Sequence, residues 1–196
     1  MKKTKCVQLE TKTDPTWVRV ILDNFDAFLA DHADCERKAF SNAMGLIAKY
    51  PERKEIVGPL IDFAMEELMH FRQVYRLMEK RGIPMPTASH KDPYVNALMI
   101  HCRHGRDENF LDRLLISSIV EARGAERFRI VCRALPDASL KKLYRGFYQA
   151  EARHGNFFVN LLGMYFSENV IDDRLKILVH EESKIIQNLP WRPSLH

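Results

Sequence analysis

The chain has little of what would interrupt long helices or hold a small fold together covalently. Its 196 residues include only eight glycines and nine prolines, which leaves room for long helices. Its four cysteines have no spacing typical of a zinc site or a disulfide framework, so we expect reduced thiols. No run of 18 or more apolar residues exists, so no membrane span is predicted. No apolar segment follows the basic residues at the start, so no secretory signal is predicted. These absences favour a cytoplasmic protein.

The composition is otherwise that of an ordinary globular protein. Hydrophobic residues make up 46% of the chain and charged residues 29%, and the net charge is +4. A chain of this length can bury a sizeable core without covalent cross-links. We therefore expect one domain over residues 1–196.

Apolar periodicity and helix-terminating residues predict an all-α fold. Gly82 is expected to end one long helix, and Ser139 and Ser167 to begin two others. Gly58-Pro59 predicts a kink or a later start in the second helix. The five predicted long helices cover about 15–48 with a possible break near Asp23-Asn24, 52–81, 107–135, 139–166 and 168–188.

The segment between Gly82 and Asp107 is predicted to be a long connection. It contains the Pro- and Ser-rich stretch IPMPTASHKDP and then a short helical run, DPYVNALMIHCRH. No alternating strand pattern is visible. Four core helices with two short turns and one long crossover between the second and third are typical of the ferritin-like four-helix bundle, here with extra helices.

Carboxylates and imidazoles interrupt the apolar stripe of each of the four core helices near its middle. In the second helix, for example, the stripe contains Leu60, Phe63, Glu67, His70 and Val74. An unpaired buried carboxylate costs several kcal/mol, and four together would also repel one another. The residues predicted to face inward are Glu36, Glu67, His70, Glu121, Glu151 and His154.

The spacing of these residues predicts a dinuclear metal site. Glu67 follows Glu36 by 31 residues and Glu151 follows Glu121 by 30, and each second Glu has a His three residues later. Residues i and i+3 share one helix face, so one metal ion can bind both. Two divalent ions carry enough positive charge to match four carboxylates. Carboxylate and imidazole ligands favour iron or manganese, and iron is the usual metal for dioxygen chemistry.

The other polar residues near these positions are expected to have structural or surface roles. His32, one turn before Glu36, is expected to be a satisfied core histidine that supports the site, and Ser117, one turn before Glu121, a packing residue. Glu66 and Glu126 lie off the apolar stripes and are expected at the surface. The run from His180 to Glu182 is also expected to be solvated.

Charge helps to choose among the reactions of a diiron site. With the four glutamates neutralised by metal, the remaining charge rises from +4 to +8. A ferritin-type storage shell would instead present acidic paths for iron. Arg123 and Arg127 are expected to face solvent opposite Glu121, where they could contact phosphate or belong to an ordinary solvated basic face. The basic residues of this part of the chain are Arg103, Arg106, Arg113, Arg123, Arg127, Arg129, Arg133, Lys141, Lys142, Arg145 and Arg153.

The sequence around the six inward-facing Glu and His residues resembles that of one known family. The relevant stretches are DHADCERKAFSNAM, MEELMHFRQV, SSIVEARGAERF and QAEARHGNFFVNL. They are similar to the bacterial tRNA 2-methylthio-isopentenyladenosine hydroxylases of the MiaE type, and the resemblance covers most of the chain.

The resemblance implies a non-haem diiron monooxygenase that hydroxylates the isopentenyl tail of a modified adenosine beside the tRNA anticodon. It implies two iron ions, dioxygen, and electrons from a reductase or electron carrier that the sequence does not identify. Two alternatives remain open. One is a ferritin- or rubrerythrin-like protein that handles iron or reduces peroxide without an organic substrate, and the other is a diiron oxygenase for a lipid or quinone.

Overall fold

The described residues of this computed structural model, 7–86 and 92–196, form seven α-helices and no strand, which agrees with the predicted all-α class. No helix within these ranges is long and apolar enough to cross a membrane. The helices are α1 (Trp17–Asp23), α2 (Phe25–Lys49), α3 (Lys54–Arg81), α4 (Pro93–Met99), α5 (Arg106–Ala134), α6 (Ala138–Leu162) and α7 (Glu168–Asn188).

Two compact units make up the chain. One contains residues 19–90 and 192–195, and within it α2 packs against α3. The other contains residues 1–18, 91–191 and 196, and within it α5 packs against α6, with α4 and α7 beside α5. They are called the α2–α3 unit and the α5–α6 unit. The prediction of a single domain stays a prediction.

Most of the helix boundaries follow the local signals. The predicted break in the first helix is confirmed, because Asn24 has a non-helical backbone between α1 and α2. Gly82 ends α3 with a positive φ of 70°, and Ile83 N–H donates to the Met78 carbonyl at 3.0 Å. This is the glycine-terminated geometry that few other residues adopt without strain. Leu135 precedes a proline, has an extended backbone and therefore ends α5.

Three details differ from the prediction. Helix α3 runs through Pro59 without a break, since this proline lies in the second turn and removes a single hydrogen bond. Helix α6 ends at Leu162, before Gly163, rather than near residue 166, and the chain continues in turns. Part of the predicted connection, residues 87–91, lies outside the described residues.

The N-terminus of α6 is capped by Asp137 rather than by Ser139. Asp137 Oδ1 accepts hydrogen bonds from Leu140 N–H at 2.8 Å and from the Ser139 hydroxyl at 2.5 Å. We expect Asp137→Ala to lower the melting temperature by roughly 2–4 °C, because a helix N–H loses its acceptor. Ser139→Ala should have a smaller effect, since it leaves that bond in place. Thermal unfolding by circular dichroism compares the two variants, and equal shifts would contradict the assignment.

Among the described residues, Cys35, Cys102 and Cys132 form no disulfide, which agrees with the expectation of reduced thiols. Cys6 lies outside the described residues.

Candidate metal centre

Helices α2 and α3 bring together the first three predicted ligands. Glu36, Glu67 and His70 are 3%, 1% and 7% exposed, so they lie in the interior as their place in the apolar stripes predicts. His70 Nδ1 lies 3.7 Å from Glu36 Oε2 and 3.6 Å from Glu67 Oε2. These three residues are called the α2–α3 triad.

The electrostatics of this triad show a strong attraction for positive charge. Burial would lower the pKa of His70, but the carboxylates of Glu36 and Glu67 near its Nδ1 outweigh burial and raise that pKa to about 10. Burial would raise the pKa of Glu36, but the hydrogen bond with His32 and the nearby imidazole of His70 hold it well below its usual range. The low pKa of Glu36 and the high pKa of His70 favour a carboxylate beside a protonated imidazole, which is the position that a metal ion would take.

His32 supports this triad from the preceding turn of α2. It is fully buried, and its Nε2 lies 2.6 Å from Glu36 Oε1. This contact agrees with the expectation that His32 is a satisfied core residue beside the site. A hydrogen bond to a ligating carboxylate fixes its orientation, so the second oxygen of Glu36 is left to face His70.

Helices α5 and α6 bring together the other three predicted ligands. Glu121, Glu151 and His154 are 8%, 4% and 4% exposed. His154 Nδ1 lies 3.8 Å from Glu121 Oε2 and 3.8 Å from Glu151 Oε2. These residues are called the α5–α6 triad, and their arrangement repeats that of the α2–α3 triad. Ser117, one turn before Glu121, is half-buried.

The donor atoms of each triad fit a metal ion. Two ligand atoms that are each about 2.1 Å from one ion can be at most about 4.2 Å apart. The nitrogen-to-oxygen distances of 3.6–3.8 Å satisfy this limit in both triads. The set contains carboxylate oxygen and imidazole nitrogen and no thiolate, which is the ligand chemistry of iron and manganese sites. Each triad is thus suited to hold a metal ion.

A residue that sequence reasoning missed lies beside the α5–α6 triad. A Cβ on Gly124 would lie in ordinary contact, 3.9 Å from Glu151 Oε2 and 3.9 Å from His196 Nε2, so both groups lie beside this position of α5. His196 stacks on Tyr94 with ring centroids 5.2 Å apart, and its Nδ1 lies 3.3 Å from Asp92 Oδ2. His196 is far from Glu151 in the sequence, so the sequence alone does not show that the two residues lie near each other.

Asp92 holds the imidazole of His196 electrostatically. Burial would raise the pKa of Asp92, but the hydrogen bond and charge of His196 outweigh burial and lower that pKa to about 2. Asp92 also caps α4, since its Oδ1 accepts from Tyr94 N–H at 2.9 Å. One carboxylate therefore fixes both the start of α4 and the ring beside Gly124.

The prediction that Arg123 and Arg127 face solvent is wrong. Arg123 is fully buried and Arg127 is 5% exposed. Arg123 donates from Nε and Nη2 to the two carboxylate oxygens of Glu182, at 2.9 and 3.0 Å, and from Nη2 to the Thr11 carbonyl at 2.8 Å. Its Nη1 also donates to Glu126. The face of α5 around Arg123 is therefore covered within its own unit by α7 and the segment before α1.

The neighbours of Arg123 correct two further predictions. Glu126, expected at the surface, is half-buried and also accepts from Thr13 N–H at 2.9 Å. Glu182, expected in solvent, is fully buried. Arg127 lies with its guanidinium carbon 4.7 Å from the ring centroid of Trp17, and burial with the nearby charge of Arg123 lowers the pKa of Arg127 to about 10.

The exposure of two other polar residues agrees better with the predictions. His180 is 57% exposed, as expected for a solvated position. Glu66 is 38% exposed and off the buried stripe, although its Oε1 lies 4.0 Å from His70 Nε2. It is therefore a carboxylate at the rim of the α2–α3 triad rather than a remote surface charge.

Solved structures include a similar fold. The chain aligns with Protein 43 with aldehyde deformylating oxygenase activity from Synechococcus at a TM-score of 0.90 and 30% sequence identity. The alignment covers 96% of this chain and 94% of that chain. This likeness confirms the predicted ferritin-like fold class.

Two curated relatives carry the same name, tRNA 2-(methylsulfanyl)-N(6)-isopentenyladenosine(37) hydroxylase. The protein from Pseudomonas putida is 33% identical over 176 residues, which is 90% of this chain and 85% of that protein. The protein from Salmonella typhimurium is 24% identical, over 83% of this chain and 77% of that protein. The family model described as tRNA-(MS2IO6A)-hydroxylase (MiaE) matches residues 1–196. The chain therefore belongs to the MiaE family of tRNA hydroxylases.

Proposed function

We propose that this protein hydroxylates the isopentenyl tail of 2-methylthio-isopentenyladenosine in tRNA. The observation that carries the proposal is the repeated Glu, Glu, His triad, buried in each unit of a chain that belongs to a tRNA hydroxylase family. The reaction consumes dioxygen, two electrons and two protons, and yields the hydroxylated tail and water. The electrons come from a reductase or electron carrier, and the tRNA substrate implies a cytoplasmic location.

The triads are proposed to hold iron, two ions in all, and residues 1–196 are proposed to act as a single ferritin-like diiron domain. When bound, the iron pair supplies dioxygen activation and oxygen transfer to carbon. The six residues proposed as ligands are Glu36, Glu67, His70, Glu121, Glu151 and His154.

The chain's own residues orient the ligands and exclude water. His32 fixes Glu36 through the 2.6 Å contact, so the carboxylate cannot rotate freely. In the α5–α6 unit, Phe147 and Phe158 are each 1% exposed and lie on the same helix as Glu151 and His154. Such apolar surroundings keep water from the carbon that reacts.

The substrate base must leave its stack to reach buried ligands. We propose that the modified adenosine is presented by the anticodon loop, where bases are already unpaired. Turning a loop base outward costs less than extracting one from a duplex. The apolar tail is then free to enter the protein while the charged backbone stays outside.

The test is nucleoside analysis of bulk tRNA by mass spectrometry. Cells lacking the gene should accumulate the unhydroxylated 2-methylthio-isopentenyl nucleoside, and the wild-type gene should restore the hydroxylated form. Complementation with Glu151→Ala is the matched control, since that chain should express without restoring the product. An unchanged nucleoside profile in the deletion strain would overturn the proposal. Iron oxidation or peroxide reduction by the purified protein, without tRNA turnover, would instead favour the iron-handling alternative.

A further inference from the structure

We propose that the exposed face of α6 and the end of α5 form the surface that docks the RNA backbone. This surface is called the α6 basic face, and it consists of Arg129, Arg133, Lys142, Arg145 and Arg153. The inference rests on the proposed function, since that function supplies the RNA, and it adds which side of the α5–α6 unit the RNA contacts.

The charge of this surface has one sign. The sequence from residue 127 to 162 contains two acids, Asp137 and Glu151. Glu151 is buried in the α5–α6 triad, and Asp137 caps the N-terminus of α6. A carboxylate that would neutralise the exposed cations of α6 is therefore absent from the outer face of that helix.

Several cations elsewhere in the described part of the chain have carboxylate partners. Arg81 pairs with Asp26 at 2.5 Å, and Lys184 pairs with Glu181 at 2.8 Å. Arg103 and Arg174 share Asp112 at 2.9 and 2.8 Å.

Four members of the α6 basic face differ from these residues. Arg129, Arg133, Lys142 and Arg145 are exposed and make no ion pair with any residue in the described part of the chain. Arg153 donates to the Gln149 carbonyl of its own helix at 3.1 Å. Cations kept together without counter-charges repel one another, so a polyanion would stabilise this surface.

The helical register places these cations in line. Lys142, Arg145, Gln149 and Arg153 follow one another by three or four residues, so they occupy one face of α6. Glu151 and His154 occupy the opposite, buried face. From Lys142 to Arg153 the helix rises about 16 Å. A row of this length suits several successive phosphates, and arginine donates to a phosphate through two parallel N–H groups.

Arg129 and Arg133 extend the row at one end. They lie four residues apart near the C-terminus of α5, and the short turn over residues 135–137 leads from there directly into α6. All five cations therefore belong to one unit and one helical hairpin. The sequence places Arg123 and Arg127 where they could contact phosphate, but both are buried and therefore do not belong to this surface.

The experiment measures binding of an anticodon stem-loop RNA to the iron-loaded protein by fluorescence anisotropy at several salt concentrations. We expect Lys142→Gln/Arg145→Gln to weaken binding about 10-fold at low salt and to reduce the salt slope by about 1–2. Adding Arg129→Gln and Arg133→Gln should weaken it further. The matched control, Lys176→Gln/Lys184→Gln on α7, removes the same charge from exposed positions and should bind like the wild type.

The outcomes separate this inference from the proposed function. Equal affinities for the α6 variant and the α7 control would overturn the docking face, even if the wild-type protein hydroxylates tRNA. A wild-type protein that leaves the modified adenosine unchanged would overturn the function, whatever the affinities. Iron content should match the wild type in both variants, so a loss of binding would not reflect a damaged metal site. In turnover assays, KM for tRNA should rise more than kcat falls.

Discussion

Glu67→Ala and His154→Ala should each yield a protein that binds less iron and does not hydroxylate tRNA. Each substitution removes one member of a buried triad, Glu67 at 1% exposure and His154 at 4%. The remaining carboxylates then lack part of the ligand set that would hold a cation among them. Replacing groups that only support ligands costs about 10–100-fold in affinity or activity, so loss of a ligand should cost at least about 100-fold. Iron per chain and hydroxylated nucleoside per minute are the two measurements.

The control is Glu79→Ala, which removes a carboxylate from an exposed position three turns farther along α3. This variant should retain the iron content and activity of the wild type. Two irons per chain in Glu67→Ala or His154→Ala would show that the ligand assignment is wrong. Loss of iron in Glu79→Ala would show instead that α3 tolerates no change, and the ligand test would then need Glu67→Gln, which keeps the side-chain volume.

The candidate ligands could be found from the sequence because they violate a pattern that is otherwise regular. Glu67 and His70 occupy positions in α3 where Phe63 and Val74 show that the helix faces the core. Local periodicity alone predicts that such residues are buried, and the chemistry of carboxylates then predicts a cation. Burial of Glu67 and His70 in the structure follows that reasoning.

The same reasoning failed for Arg123, and the reason is tertiary. A basic residue opposite Glu121 on a helix normally faces solvent. Here Glu182, which is 59 residues away in sequence, packs against α5 and supplies a buried counter-ion. No periodicity links the two positions, so a single sequence cannot pair them. His196 was missed for the same reason, because its proximity to Gly124 depends on the path of the chain after α7.

The start of α6 could be predicted only approximately, because two neighbouring residues compete to cap the helix. Ser139 and Asp137 are both good caps and lie two residues apart, so the sequence favours a helix start near them without choosing between them. The structure selects Asp137 because its carboxylate accepts from both Leu140 N–H and the Ser139 hydroxyl. The predicted helix was therefore right in kind and shifted by less than one turn.

Replacement of Arg123 should cause a large loss of folding stability. Arg123→Met should reduce the free energy of unfolding by about 3–5 kcal/mol, because it leaves Glu182 buried without its cation. Glu182 is fully buried, and its other hydrogen bond, from the Tyr94 hydroxyl at 3.0 Å, cannot balance a full charge. Urea denaturation measures the loss, with all variants compared at the same iron loading because bound metal stabilises the folded state.

A double-mutant cycle separates the ion pair from the rest of the packing. Arg123→Met/Glu182→Leu should be less destabilised than the sum of the two single variants, since neither charge is then buried alone. The control is Arg81→Met, whose partner Asp26 is 57% exposed, and its loss should stay below about 1 kcal/mol. Arg123→Met could instead lower the free energy of unfolding by no more than Arg81→Met does. That result would show that the buried ion pair does not hold α7, or the segment before α1, against α5.

Arg123 also decides between two explanations of why the MiaE-family chain carries so many arginines on α5. If Arg123 contacted RNA, its replacement would reduce the salt slope of stem-loop binding, as replacement of Lys142 and Arg145 should. Because its guanidinium donates to Glu182, Glu126 and Thr11 inside the protein, we expect Arg123→Met to leave that slope unchanged while lowering stability. The last four arginines of α5 then fall into two groups: Arg123 and Arg127 stabilise the unit, while Arg129 and Arg133 remain available to RNA.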